Sequence, residues 1–198
     1  MLESRLVRLR VADSSDADYI RKLRNSPAVS ARFLDRWFIN DERQAKFMVH
    51  LAESKDSLFL VAEDKSSGSR FGVYTLQRID HRNQHANTGV FLDESCVPSG
   101  LHPIESACLL FDYAFGYLNL YKLCAEVLPD NARAMRYNEA LGFTVEGCLK
   151  GHVFYNGALQ DLMLIALFKQ DFLENPTPMV ARIRAGWGKR PSSLSAPR

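Results

Sequence analysis

The sequence has neither a long hydrophobic run nor an excess of charge of one sign. Its most apolar stretch, residues 162–168, is far shorter than the roughly 20 residues that a membrane-spanning helix needs. Lysine and arginine together number 25 against 23 acidic residues, a formal net charge of +2. This balance argues against nucleic acid and against a membrane surface as partner. The first residues, MLESRLVRLR, also lack the apolar segment of a signal peptide, so we expect a cytoplasmic location.

The four cysteines form no pattern that indicates a metal site or a disulfide framework. Cys96, Cys108, Cys124 and Cys148 include no CxxC pair, and no two of them lie near a histidine at the spacing of metal ligands. Two disulfides are possible by number alone. Cys108 and Cys124 lie in apolar segments, however, which favours reduced, buried thiols. We therefore expect no metal.

Hydrophobic residues are frequent enough to build a core. They make up 46% of the 198 residues and charged residues make up 24%, as in an ordinary globular protein. After residue 173 the composition shifts to proline, serine, arginine and glycine. We therefore predict one domain over residues 1–173 and a C-terminal extension over residues 174–198. Within the extension we expect a short helix over 179–187 that packs back on the domain, followed by a disordered tail.

Hydrophobic periodicity and turn residues predict an alternation of strands and helices. Strands are expected over residues 5–11, 58–62, 71–79, 88–92, 123–128, 143–154 and 158–168, and helices over 14–25, 41–54, 103–118 and 132–141. The last two strands flank Asn156-Gly157, a strong signal for a tight hairpin. The strand, helix and strand across residues 88–128 predict one parallel, right-handed crossover. The order indicates a single mixed α/β domain.

Several segments, taken in order, resemble a known family. They are LRNSPAV at residues 23–29, IDHRN at 79–83 with Gly89-Val90 after it, DYAF at 112–115, NARA at 131–134 running to LGF at 141–143, and the hairpin with Gly157 and Asp161. With these segments the chain resembles the GNAT N-acetyltransferases, in the branch that contains the ribosomal-protein acetylases. The resemblance implies a mostly antiparallel central sheet with flanking helices. It also implies transfer of an acetyl or other acyl group from coenzyme A to a primary amine, on a small molecule or a peptide N-terminus, by direct attack on the thioester.

The resemblance also implies where acetyl-CoA would bind. Its pantetheine arm would pair with the backbone of Val90, Phe91, Leu92 and Asp93. Its diphosphate would lie at the loop of Ser99, Gly100, Leu101 and His102, where the unpaired N–H groups and dipole of a helix N-terminus favour an anion. This loop departs from the family pattern, because it has one glycine, flanking prolines and no arginine or glutamine. Asn131 is expected to contact the cosubstrate, and asparagine also suits the N-cap of the following helix.

Two residues carry the catalytic roles that the resemblance implies. Glu126 would act through water as the base that deprotonates the attacking amine. The alternative is an ordinary half-exposed strand glutamate. Asn138 stands where many relatives have a tyrosine that protonates the thiolate. Its amide cannot supply a proton but can hydrogen-bond the sulfur. Tyr137 lies about 100° away around the helix, so we expect it to pack rather than to act as the acid.

The sequence leaves open which acceptor binds and which of several functions the protein has. Basic and aromatic residues between the first two helices would suit an anionic or sugar-like acceptor, or could simply pack: Arg32, Arg36, Trp37 and Phe38.

A binding module without activity is one alternative function. Another is an enzyme that takes its acyl group from a carrier protein, docked on basic residues of the extension: Arg182, Arg184, Lys189 and Arg190. A homodimer is the assembly we expect, with a coenzyme A thioester and an amine acceptor as partners.

Overall fold

The computed structural model describes residues 1–34, 36–98 and 100–187. In this part of the chain one mixed sheet has eight strands in the order β1-β2-β3-β4-β5-β6-β8-β7. The strands are β1 (Leu2–Glu3), β2 (Val7–Val11), β3 (Leu58–Asp64), β4 (Arg70–Asp80), β5 (His85–Leu92), β6 (Lys122–Val127), β7 (Thr144–Tyr155) and β8 (Ala158–Phe168). The helices are α1 (Ala17–Asn25), α2 (Pro27–Ser30), α3 (Asp41–Glu53), α4 (His102–Gly116), α5 (Ala132–Leu141), α6 (Lys169–Leu173) and α7 (Pro178–Ala185). The predicted fold class, a mostly antiparallel sheet with flanking helices, is confirmed.

Strands β5 and β6 form the one parallel pair of the described sheet, with α4 as the crossover between them. Their register runs from His85 opposite Lys122 to Asn87 opposite Cys124. Both strands continue beyond these residues, to Leu92 and Val127, but within the described chain they no longer pair there. The sheet therefore divides at its centre, and a gap opens between the carboxyl ends of β5 and β6.

Helices cover both faces of the sheet, and each face has its own core. On one face, α4, α6 and α7 pack around Phe115 and Phe172, which are almost fully buried. On the other face, α1, α2 and α3 pack on the sheet through residues such as Ile20 and Met48. Helix α7 belongs to the first core because its Val180 has no exposed surface. The expected helix of the extension thus exists and packs on the domain, while the predicted tail from about residue 190 lies outside the described residues and the boundary at 173 stays a prediction.

Small elements that the hydrophobic pattern does not reveal complete the fold. Ser26 and Pro27 end α1 as expected, but they also start α2, because the Ser26 side chain accepts a hydrogen bond from the Val29 N–H and proline suits the first turn of a helix. β1 and α6 span only two and five residues, too few for a periodic signal.

A buried carboxylate holds the start of α1 against the sheet. Asp16 has no exposed surface, and the Arg10 guanidinium donates to its two oxygens at 2.6 and 2.7 Å. Arg70 donates to the same carboxylate at 3.2 Å, and the Asp13 N–H donates at 3.0 Å. Burial opposes ionisation, but the hydrogen bonds from Arg10 and Asp13 outweigh it and hold the pKa of Asp16 below its usual value. Asp16 thereby links β2 and β4 to the helix that carries Arg24.

Candidate active site

A cavity of about 290 Å³ lies where β5 and β6 separate. Its wall combines the separated ends of these strands, the first turns of α5, the middle of α4 and the segment that follows α1. Five of the residues expected to bind the cosubstrate or to act in catalysis line it together: Val90, Phe91, Glu126, Asn131 and Asn138. Leu92, Asp93, Gly100, Leu101 and His102 lie outside its wall, and Ser99 lies outside the described residues.

The edge of β5 turns unpaired backbone groups toward the gap. In an antiparallel ladder, alternate residues exchange hydrogen bonds with the partner strand. The Asp93 N–H donates to the Phe71 carbonyl of β4, so by alternation Phe91 also bonds to β4. The N–H and C=O groups of Val90 and Leu92 therefore face the other way, into the gap. An extended ligand chain placed there can pair with them as a strand would.

Glu126 projects from β6 to the face of the sheet that α1, α2 and α3 cover. Its neighbours Ala125 and Val127 pack with the core under α4, and strand side chains alternate between faces. The Glu126 side chain is exposed and lines the cavity. It therefore lies at the gap between β5 and β6, on the face that α1, α2 and α3 cover.

Asn131 and Asn138 lie one above the other on α5. The Asn131 side chain accepts a hydrogen bond from the Ala134 N–H at 3.2 Å and so caps the helix. The Asn138 amide donates to the Ala134 carbonyl at 2.9 Å. Since an amide group carries two N–H bonds, Asn138 keeps a second donor for a ligand in the cavity. The cap role of Asn131 is thus present, and its contact with the cosubstrate stays a prediction.

Two tyrosines, the buried Tyr74 and the half-buried Tyr137, hold the first turn of α4 from inside the gap. The hydroxyls of Tyr74 and Tyr137 both donate to the Pro103 carbonyl, at 2.9 and 3.1 Å. Burial raises the pKa of both phenols above its usual value, so both stay protonated. Tyr137 also lines the cavity, and its hydroxyl lies within hydrogen-bond distance of the Pro103 carbonyl. Nothing in the sequence pattern of β4 distinguishes Tyr74 from an ordinary core residue.

Replacing Tyr137 with phenylalanine tests this arrangement. We expect Tyr137→Phe to lower the free energy of unfolding by about 1 kcal/mol, the usual worth of one hydrogen bond. We also expect severalfold weaker acetyl-CoA binding, because the start of α4 loses one of its two supports. Urea unfolding and calorimetric titration measure the two effects. Tyr121→Phe, at an exposed tyrosine outside the cavity, is the control. Unchanged stability and affinity in Tyr137→Phe would contradict the role.

The N-terminus of α4 lies beside the gap and has no side-chain cap. Its backbone hydrogen bonds begin where the Glu105 N–H donates to the Leu101 carbonyl, so earlier amides have no intrahelical partner. Gly100 has φ +94° with open space where a Cβ would stand. These features fit an anion such as a diphosphate. The His102 ring turns aside, packing edge-on against Phe71 with Nε2 3.6 Å from Asp64, so only its backbone remains for that role.

Arg24 is the charged residue of the cavity that sequence reasoning missed. Its guanidinium lies 4.2 Å from the centre of the Phe33 ring, and Phe33 packs edge-on against Phe91. Arg32, which the sequence did suggest, also lines the cavity. Arg36 instead stacks on Tyr155 at 4.0 Å, and Phe38 is exposed. The signal that could have found Arg24 is its place at the end of α1, four residues after the buried Ile20.

A family model described as Acetyltransferase (GNAT) domain matches residues 9–164. This match covers most of the chain, including the gap, α4 and α5. The chain belongs to the GNAT acetyltransferase family. Members of this family take acetyl-CoA as cosubstrate, so this GNAT protein is an N-acetyltransferase that acts on an amine.

Individual relatives place this GNAT chain among enzymes with different acceptors. The spermidine N(1)-acetyltransferase of Escherichia coli strain K12 is 29% identical over 178 residues, which is 87% of this chain and 91% of that one. The ribosomal-protein-serine acetyltransferase of the same strain is 31% identical over 62% of this chain and 66% of that one. A crystal structure of spermidine N-acetyltransferase from Vibrio cholerae in complex with CoA and spermine superposes with a TM-score of 0.78 at 22% identity, covering 85% and 98%. These likenesses do not fix the acceptor.

The described residues contain no cluster of three or more histidine, cysteine, aspartate or glutamate side chains arranged to hold a metal ion. Residues 1–34, 36–98 and 100–187 also include no helix long and apolar enough to cross a membrane. The four cysteines lie in this part of the GNAT chain as free thiols.

Proposed function

We propose that this GNAT protein transfers the acetyl group of acetyl-CoA to a primary amine of a small molecule or peptide N-terminus bound in the cavity between β5 and β6. The observation that carries the proposal is the shared cavity, which brings together a carboxylate (Glu126), an amide donor (Asn138) and the unpaired edge of β5. These are the groups that the reaction needs: a proton acceptor, a hydrogen-bond donor for the leaving sulfur, and a strand edge with which the cosubstrate can pair.

The first step is loss of a proton from the amine. An ammonium has no lone pair, so the nucleophile must be neutral when its nitrogen attacks the thioester carbon. Glu126 receives this proton through a water molecule. Nitrogen then bonds to the acyl carbon and the carbon–sulfur bond breaks. After the attack the nitrogen is positively charged, and it loses its second proton to Glu126 through the same water once Glu126 has released the first proton to solvent. The thiolate takes up one proton from water, so acetylation of one ammonium releases one proton overall.

The second step is departure of the thiolate. Asn138 supplies a hydrogen bond to the sulfur rather than a proton, because its amide is not an acid at neutral pH. The thiolate of coenzyme A is stable enough to leave with this help and then takes its proton from water.

The cosubstrate is held mainly by backbone groups. We propose that its pantetheine arm pairs with Val90 and Leu92, whose N–H and C=O groups face the gap. The backbone of Phe91 and Asp93 bonds to β4, so these two residues only frame the arm. The diphosphate is proposed to lie against the amides of Gly100, Leu101 and His102 at the start of α4, with Ser99 as a further predicted donor.

Release of free thiol from acetyl-CoA tests the proposal directly. We would mix the protein with acetyl-CoA and a panel of primary amines and peptides, follow free thiol with a colorimetric reagent, and identify the acetylated product by mass spectrometry. Calorimetric titration with acetyl-CoA in parallel separates binding from turnover. The proposal fails if no acetyl-CoA binds, or if bound acetyl-CoA is never transferred to any amine in the panel.

A carrier-protein donor has less support from the described residues. Arg184, one of the basic residues expected to dock a carrier, is instead held inside the fold. It donates to the Phe172 carbonyl at 3.1 Å and lies 3.5 Å from Asp112. Lys189 and Arg190 lie outside the described residues.

We propose that the protein forms a homodimer in the cytoplasm. The β7–β8 hairpin at the edge of the sheet exposes apolar side chains, with Phe154 72% and Leu159 66% exposed. Such an exposed edge favours pairing with a second copy. Free thiols and a coenzyme A cosubstrate fit a reducing cytoplasm. Sedimentation equilibrium measures the assembly, and a monomer at micromolar concentration would contradict it.

A further inference from the structure

The part of the cavity wall that the sheet forms lacks one side chain, at Gly89 of β5. Gly89 lines the cavity, and by strand alternation it lies on the same face as Phe91, which packs in the core under α1, α2 and α3. A Cβ on Gly89 would lie 3.1 Å from the Thr75 Oγ1 of β4. A glycine within a strand often marks a place where a ligand comes close to the backbone. The absence of a side chain leaves room for such a ligand above Gly89.

Two polar residues, Asn87 and Glu126, lie on either side of Gly89. Asn87 is two residues before Gly89 on the same face of β5, is half-buried and lines the cavity. It is opposite Cys124 in the last registered pair of β5 and β6, and Glu126 is two residues beyond Cys124. Gly89 and Glu126 therefore lie at the same level on the two sides of the gap, and Asn87 lies at the narrow end of the gap.

The Asn87 amide is available to a ligand, because its side chain makes no hydrogen bond with the rest of the described chain. Gln77 is opposite Asn87 on β4 and also lines the cavity. The Gln77 Nε2, however, donates to Thr75 Oγ1 at 3.2 Å, and β4 is one strand further from the gap. Of these two amides, Asn87 is therefore the one placed to bind a molecule in the gap.

The reacting end of acetyl-CoA comes to the same place when the cosubstrate binds as proposed. Its diphosphate then lies at the start of α4, beyond the carboxyl end of β5, and its pantetheine arm runs back along Leu92 and Val90. Continued in this direction, the thioester reaches the level of Gly89. The acyl carbon, Asn87 and Glu126 then surround the one position at which the nitrogen of an amine can attack.

We infer that Asn87 orients the attacking amine and selects primary amines, because its side-chain oxygen accepts one N–H of the amine above Gly89. This inference rests on the proposed function. A neutral primary amine has two N–H bonds and one lone pair. One N–H donates to Asn87 and stays in the amide product, the other faces the water that leads to Glu126, and the lone pair points at the acyl carbon. A secondary amine has a single N–H and cannot satisfy both partners.

A matched pair of amines tests this role. We would measure kcat/KM with acetyl-CoA for the primary amine of the panel above that reacts fastest, and for the same compound with a methyl group on its reacting nitrogen. Asn87→Leu keeps a side chain of similar size and removes the oxygen. We expect kcat/KM for the primary amine to fall about fivefold to tenfold, the worth of one hydrogen bond, and kcat/KM for the methylated amine to change by less than about twofold.

Two further variants serve as controls. Asn87→Asp keeps an oxygen acceptor at the same position, so the preference for the primary amine should stay within about twofold of that of the unmodified chain. Asn175→Leu makes the first exchange at an exposed asparagine outside the cavity wall and should leave both rates unchanged. Asparagine is uncommon in strands, so leucine should not weaken β5. Calorimetric affinity for acetyl-CoA, which is proposed to depend on backbone groups, reports whether each variant is folded.

The outcomes distinguish this inference from the proposed function. If Asn87→Leu acetylates both amines as fast as the unmodified chain, or loses the same factor for both, the role of Asn87 is overturned and the acetyltransferase proposal stands. If Asn87→Leu binds no acetyl-CoA, the aspartate variant decides, since a lost preference there overturns the role and a kept one supports it. An unmodified protein that acetylates no amine refutes the proposed function, and this inference with it.

Discussion

Glu126→Gln is expected to lower kcat/KM for amine acetylation by roughly a hundredfold to a thousandfold, within the range that a positioned general base supplies. The substitution keeps the shape of the side chain and removes only its ability to take a proton from the water beside the amine. Acetyl-CoA affinity should stay near that of the unmodified chain, since the proposed cosubstrate contacts are backbone groups of β5 and α4. Steady-state rates and calorimetric titration measure the two quantities.

The control for this variant is Glu139→Gln. Glu139 is an exposed glutamate on α5 that lies outside the cavity wall, so its loss changes charge by the same amount without touching the site. A Glu126→Gln enzyme that keeps a third or more of the rate would remove the carboxylate from the mechanism. The amine would then have to lose its proton to bulk water alone.

Asp16→Ala is expected to lower the free energy of unfolding by about 3–5 kcal/mol, the usual cost of removing one partner from a buried ion pair. The reason is that Arg10 loses the carboxylate that accepts both of its terminal N–H groups, and the Asp13 N–H loses its cap. Urea unfolding followed by circular dichroism measures the change. Asp18→Ala, at an exposed carboxylate of α1 paired with Lys22, should cost less than about 1 kcal/mol.

The same carboxylate predicts how stability depends on pH. Because the pKa of Asp16 is held below its ordinary value of 3.8, the ionised form favours the folded state. Its contribution is fully present well above pH 3.8 and is lost as the pH falls through the lower value of the folded protein. Asp16→Asn should therefore flatten the acid limb of the stability curve. An unchanged acid limb would show that other carboxylates set it.

The sequence predicts well those parts of the fold in which a local pattern and a local cause coincide. Helix α5 has the expected bounds, because Asn131 caps its start and Gly142, at φ +99°, ends it in a conformation that favours glycine. The separation of β5 from β6 is different. Both strands read as ordinary apolar strands, and the ladder ends at Asn87 only because of how two distant segments are registered.

The residues of the candidate site also fall into two groups, those that the sequence predicts and those that it does not. Glu126 and Asn138 could be named in advance because they follow family spacing along one strand and one helix. Arg24, Tyr74 and Asn87 could not, because each owes its place to packing between elements far apart in the chain. Asn87 comes just before the strand expected over residues 88–92, where a polar residue reads as part of a turn. Only the three-dimensional arrangement shows that its amide reaches a cavity.

The unpaired edge of β5 has a consequence for how such an enzyme diverges. Hydrogen bonds made by main-chain atoms are kept through almost any substitution of side chains, provided that the segment stays a β-strand. If acetyl-CoA binds along this edge as proposed, substitutions in α1 and α3 can change the charge near the acceptor while the donor contacts stay in place. The same fold can in this way keep its acyl donor and change its acceptor amine through a few substitutions at the surface.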